Sequence, residues 1–98
     1  MTRSARRRFD HLHAELSVAV GAAVPRYQLW LWMREHGREP EHLPRREALA
    51  FCDEELDGLL RTLGLVLPRR RRSALRRRIA GFDARHPTPE ERLASLTG

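Results

Sequence analysis

Seven arginines lie between Arg69 and Arg78, and no acidic residue follows until Asp83. An arginine guanidinium is charged at every cellular pH, and its planar fork of N–H donors matches the oxygens of a phosphate. Seven such groups repel one another, and anions bound from outside the protein relieve that repulsion. Because nucleic-acid phosphates bind with release of condensed counterions, the run predicts salt-sensitive binding to a phosphate backbone that does not select a base sequence.

The arginines of this run separate into an outward group and a flanking group if residues 68–82 form a helix. With Leu75 turned inward, an arc at roughly 100–220° from it holds four of them: Arg69, Arg70, Arg76 and Arg77. A second basic cluster, within residues 3–8, opens the chain. The sequence leaves open whether the two clusters form one surface or the first is a frayed terminus. The predicted nucleic-acid-binding residues are Arg6, Arg7, Arg69, Arg70, Arg72, Arg76 and Arg77.

A patch of opposite charge is formed by four residues: Asp53, Glu54, Glu55 and Asp57. If these carboxylates lie beside the arginine run, they neutralise it within the protein, and the case for nucleic acid loses its main support. The chain carries a net charge of +6, and all 19 of its basic residues are arginine. A GC-rich genome encodes arginine in place of lysine, so the positions of the charges are stronger evidence than their type.

The stretch from Tyr27 to Met33 is almost entirely apolar or aromatic. On a helix, Trp30 and Trp32 point about 200° apart, so one can enter the core and the other needs a cover. Tyr27 and Trp32 are therefore the predicted partner-interface residues. This pattern supports an alternative function, a protein–protein interaction module (an adaptor or inhibitor) that docks on an acidic protein surface. With either function we expect a homo-oligomer or a subunit of a larger complex.

The sequence holds no arrangement of residues typical of catalysis or of metal binding. His11 and His13 point in opposite directions on a helix and cannot share an ion. Cys52 is followed by Asp53, whose carboxylate disfavours the thiolate that a nucleophile needs. We therefore expect a protein that is not an enzyme and that uses no cofactor or metal. No apolar run reaches the length of a membrane span, and none follows the basic N-terminus, so we expect a cytoplasmic protein without membrane contact.

Prolines and glycines divide the chain into segments with a helical apolar period, and no segment alternates as a strand does. This pattern predicts an all-α fold, a compact bundle of about five short helices in a single domain spanning residues 1–98. The predicted helical ranges are 2–23, 25–36, 45–51, 53–63 and 68–82, with a last short helix after a capping box at Thr88. The third and fourth ranges form either one helix or two bent about Cys52, with Asp53 as N-cap of the second piece. A polar loop is expected at 38–43.

Overall fold

A computed structural model describes the backbone of residues 3–82 and the side chains of residues 7–82. Within that range the all-α prediction is confirmed, with five α-helices and no strand. The helices are α1 (Arg3–Val20), α2 (Arg26–Glu35), α3 (Arg45–Glu54), α4 (Leu56–Leu63) and α5 (Arg69–Gly81). The predicted helix after Thr88 lies outside the described residues.

The first helix ends earlier than its apolar period predicts. Gly21 adopts a left-handed conformation with a φ of 72°, and the chain turns there. The segment after the turn is tied back to α1, because the Val24 amide donates a hydrogen bond to Ser17 Oγ at 3.1 Å. His13 Nε2 also lies 2.7 Å from the Val24 carbonyl oxygen. These contacts bury Val24 and close this end of the core.

The arginine-rich helix α5 packs between α1 and α3 and runs antiparallel to both. At its start, Arg71 reaches the carbonyl of Ala19 at the end of α1. At its end, the carbonyl of Phe82 accepts hydrogen bonds from Arg8 of α1 and Arg45 of α3. The side of α5 that faces its neighbours carries its buried residues, Leu75 and Ile79. The apolar spacing of this helix therefore predicts its inward face correctly.

A single apolar core joins the five helices. Its most deeply buried side chains include Leu12, Leu16, Leu29, Met33, Phe51, Leu56, Leu59 and Ile79. Each helix contributes the residues spaced three or four apart along one face, which is how a small helical domain excludes water from enough surface to fold. No helix in the described range is long and apolar enough to cross a membrane.

The acidic segment 53–57 contains the break between α3 and α4. The prediction that Asp53 caps a helix is wrong, since α3 continues through Cys52 and Asp53 to Glu54 and the break falls at Glu55. Cys52 lies on the core face of α3 with Phe51, so a bend there would expose apolar surface. Asp53 forms an ion pair with Arg76 of α5 instead of capping a helix. The two pieces are thus two helices, separated three residues later than Cys52.

The predicted polar loop before α3 has a structured centre. Pro40–His42 form one turn of 3₁₀-helix, and both Pro40 and Leu43 are buried. The turn packs against α1 and α2. Its polar residues face outward while the proline and leucine fill the core, a division that composition alone does not reveal.

Candidate nucleic-acid interface

The seven arginines of α5 fall into three stripes, each with different neighbours. One stripe, Arg71 and Arg78, faces α1. A second, Arg72 and Arg76, faces α3 and α4. The third, which we call the outer ridge, consists of the exposed arginines Arg69, Arg70 and Arg77. Residues seven apart on a helix share a face, which groups Arg71 with Arg78 and Arg70 with Arg77. Arg69 lies seven residues before Arg76, toward α3, but it has no partner there among residues 7–82.

The stripe that faces α1 holds the two helices together. Arg71 Nη1 donates a hydrogen bond to the Ala19 carbonyl oxygen at 3.1 Å. That carbonyl belongs to the last turn of α1, where the helix dipole favours a positive charge. Arg78 Nη1 lies 3.4 Å from Glu15 Oε2. Both arginines are therefore engaged by the protein itself.

The stripe that faces α3 and α4 is paired with acidic residues. Arg76 binds both oxygens of Asp53, with Nε 2.8 Å from Oδ1 and Nη2 3.1 Å from Oδ2. Arg72 Nη2 lies 2.5 Å from Asp57 Oδ1. The hydrogen bond from Arg76 lowers the pKa of Asp53, and Asp53 raises the pKa of Arg76. Two of the predicted nucleic-acid-binding residues, Arg72 and Arg76, thus have partners within the protein.

The outer ridge is free of such partners. Arg69, Arg70 and Arg77 are exposed, and none has an ion-pair or hydrogen-bond partner among the side chains of residues 7–82. Arg70 and Arg77 are two helical turns apart, about 10 Å along the axis of α5. The ridge is therefore a line of positive charge that solvent anions can reach.

Helical spacing places two further arginines, which the sequence analysis does not single out, on the sides of α3 and α4 that face α5. Arg46 lies two turns before Asp53 on the same face of α3, and Arg61 lies one turn after Asp57 on α4. Because Asp53 and Asp57 contact α5, their helical neighbours lie on the side of α5 as well. Both arginines are exposed and have no ion pair in the described part of the chain. The spacing of seven and four from the acidic residues is the signal that could have identified them.

We call this combined surface the α5 face. Its members are Arg46, Arg61, Arg69, Arg70, Arg72, Arg76 and Arg77, together with Asp53 and Asp57. Seven positive charges stand against two negative ones, so neutralisation by the acidic segment is incomplete. The other two residues of that segment turn elsewhere: Glu54 and Glu55 lie near Arg38, outside the α5 face.

The basic N-terminus meets the C-terminal end of α5. The Arg7 guanidinium lies 5.9 Å from the centre of the Phe82 ring, and Arg8 Nη1 lies 3.4 Å from the Phe82 carbonyl oxygen. His11 stacks on the same ring with centroids 4.1 Å apart. The structure thus brings the predicted residue Arg7 to the end of the arginine helix; the side chain of Arg6 lies outside the described residues.

The aromatic residues of α2 form a separate surface. Tyr27 is 67% exposed and stacks on Trp30 with ring centroids 6.0 Å apart. Both rings line an open groove of about 540 Å³ whose other walls include Phe9 and Pro40. Trp32 lies on the other side of α2, half-buried. The predicted interface pair of Tyr27 and Trp32 is therefore not brought together; Trp30, three residues after Tyr27, is the tryptophan beside Tyr27.

Within residues 7–82, no three histidine, cysteine or carboxylate side chains are grouped so that they could hold a metal ion. The chain matches no protein-family model, no curated protein and no solved structure.

Proposed function

We propose that this protein binds the phosphate backbone of nucleic acid through the α5 face, without reading base sequence, as an accessory subunit of a nucleoprotein complex or a small regulator. The outer ridge is the observation that carries this proposal. Within residues 7–82, three neighbouring arginines are exposed and have no partner, whereas the other four arginines of the same helix are engaged. Their mutual repulsion is relieved when phosphates bind between them.

The absence of aromatic rings on this surface supports backbone contact over base stacking. Among residues 7–82, the phenylalanines are buried in the protein, and the tyrosine and both tryptophans belong to α2. Proteins that hold single strands stack successive bases on exposed aromatic rings, and the α5 face offers none in the described part of the chain. A duplex, which presents phosphates on its outside, is the ligand that this surface suits.

The test is binding of a short mixed-sequence DNA duplex, followed by fluorescence anisotropy as the salt concentration is raised. Each neutralised phosphate contributes about 0.9 to the slope of log affinity against log salt. The three to five arginines of the α5 face that have no partner within residues 7–82 therefore predict a slope between about −3 and −5. Unrelated duplex sequences should bind within a few-fold of one another. No binding at low salt, or a strong preference for one sequence, would contradict the proposal.

A second candidate function is supported by the exposed aromatic pair on α2. Tyr27 and Trp30, with Arg34 over the Trp30 ring, match the residue types enriched where proteins bind one another, and the arginine favours an acidic protein surface. NMR amide shifts separate the candidates. Shifts at residues 69–77 on addition of duplex support the α5 face. Shifts at residues 26–34 on addition of a glutamate-rich peptide, with none from duplex, support the interaction module.

A further inference from the structure

We infer that Asp53 and Asp57 compete with nucleic-acid phosphates for Arg76 and Arg72, so that the protein carries a built-in competitor that restrains its own affinity. This inference rests on the proposed function and concerns the same surface. The two ion pairs lie along one side of α5, where they join it to α3 and α4. They leave the outer ridge free and occupy the two arginines next to it.

The first observation is the geometry of the Asp53 pair. Arg76 presents Nε and Nη2 to the two carboxylate oxygens, at 2.8 and 3.1 Å. This side-on, two-bond arrangement is also the one by which arginine binds two oxygens of a phosphate. The carboxylate therefore occupies the donors that a phosphate would use, and both anions cannot hold the same fork.

The second observation is that the pairs are open to solvent. The side chains of Arg76 and Asp53 are 49% and 48% exposed, and those of Arg72 and Asp57 are 38% and 68% exposed. Exposed ion pairs contribute little to stability and are screened by salt, so an incoming anion can replace the carboxylate. The pair of Arg38 and Glu55, with both side chains at most 15% exposed, offers no such access.

The third observation is position along the helix. Arg76 precedes Arg77 of the outer ridge, and Arg72 lies two and three residues after Arg70 and Arg69. A backbone lying on the ridge therefore passes within reach of both paired arginines. The hydrogen bond from Arg76 keeps the pKa of Asp53 below its ordinary value, so this carboxylate is fully charged at neutral pH, where it both occupies Arg76 and repels phosphate.

The experiment compares two full-length variants that change the net charge by the same amount. Asp53→Asn with Asp57→Asn removes the competitor. Glu39→Gln with Glu41→Gln removes two exposed carboxylates at the start of the 3₁₀ turn and within it, and this turn packs against α1 and α2. Affinity for a mixed-sequence DNA duplex is measured by anisotropy from low to physiological salt. Circular dichroism checks that helical content is retained.

The asparagine variant should bind duplex about two- to thirtyfold more tightly than the parent, the range that release of two exposed pairs permits. Its slope of log affinity against log salt should be steeper by up to about two units, because two further phosphates are neutralised. The glutamine control should show a smaller gain and an unchanged slope. Equal gains and equal slopes in the two variants would overturn the inference while leaving the proposed function intact. Absence of binding in the parent and in both variants would overturn the proposed function, and this inference with it.

A second experiment tests the competition with substitutions of the arginines instead of the aspartates. Arg72→Gln with Arg76→Gln should weaken binding more in the asparagine background than in the parent, because only there are both arginines free for phosphate. Equal losses in the two backgrounds would overturn the competition. If the double asparagine variant loses helical content, Asp57→Asn alone is used, with a predicted steepening of up to about one unit and with Glu41→Gln as its control.

Discussion

Arg38 donates hydrogen bonds from both Nε and Nη2 to a single oxygen of Glu55, the residue at the break between α3 and α4, at 3.0 and 2.5 Å. The two side chains are 12% and 15% exposed, and Glu47 and Glu54 lie within 4 Å of the same guanidinium. The hydrogen bond with Glu55 raises the pKa of Arg38. One arginine thus balances three carboxylates at the point where the chain changes direction.

Replacing Arg38 with glutamine should lower the free energy of unfolding by about 2 kcal/mol, since a largely buried carboxylate then loses its partner. Urea unfolding followed by circular dichroism measures the loss. Arg34→Gln, an exposed position on α2, is the matched control and should cost less than 1 kcal/mol, about the value of an exposed contact with the Trp30 ring. The double variant Arg38→Gln with Glu55→Gln should be more stable than Arg38→Gln alone. A double variant that is less stable would show that Glu55 does not depend on Arg38.

Cys52 should be chemically inert in the folded protein. Burial, and secondarily the charge of Asp53, raise the pKa of its thiol to about 12. A thiol-specific reagent at mildly alkaline pH should therefore label the native protein slowly and the urea-unfolded protein rapidly. Equal labelling rates in the two states would contradict the burial of this side chain.

The same thiol makes stability depend on alkaline pH. Its folded pKa lies above the unfolded value of about 8.5, so its contribution is fully present below about pH 8.5 and is lost as pH rises toward 12. Between neutral pH and about pH 10, the parent should lose about 2 kcal/mol more unfolding free energy than a Cys52→Ala variant, which lacks the titrating group. Parallel pH profiles for the two proteins would contradict this assignment.

Gly58 provides the space that Trp32 occupies over α4. A Cβ atom at residue 58 would lie 3.2 and 3.3 Å from two ring carbons of Trp32, and the same indole stacks on His36 with centroids 4.2 Å apart. In a Trp30→Phe background, Gly58→Val should displace the indole, shift its fluorescence to longer wavelength and destabilise the protein by about 1–3 kcal/mol. Gly81→Val is the control, because a Cβ atom at Gly81 meets no atom within 4 Å. A fluorescence shift of the same size in the control would show that the close approach at Gly58 is not its cause.

The sequence predicts those parts of the fold that depend on neighbours along the chain. Five of the helix boundaries are closely marked by Pro25, Gly37, Pro44, Gly64 and Pro68. The apolar period identifies the buried face of α5 at Leu75 and Ile79. The sequence does not predict the break at Glu55, because that break depends on two long-range ion pairs. Arg38 and Glu55 are separated by 17 positions in the chain, and Asp53 and Arg76 by 23. Local helix signals instead favoured a cap at Asp53.

In the candidate site, too, local helical spacing predicts some features, while others depend on tertiary contacts. Helical spacing alone predicts that Arg69, Arg70 and Arg77 point outward, and the structure places them there. The same spacing puts Arg76 at the edge of the outward arc, where only the position of α3 determines whether it meets solvent or Asp53. Arg46 and Arg61 join the α5 face through tertiary packing, so no run of basic residues in the sequence marks them.

The most direct test of the role of the outer ridge compares duplex binding by two double variants, each of which lacks two arginines. Arg70→Gln with Arg77→Gln removes two ridge charges and keeps good helix propensity. Arg26→Gln with Arg34→Gln removes the same charge from α2. The account predicts that the ridge variant loses up to about two units from the magnitude of the slope of log affinity against log salt, while the α2 variant keeps the parent slope. A ridge variant that binds duplex as tightly and as salt-sensitively as the parent, or an α2 variant that loses binding instead, would contradict it.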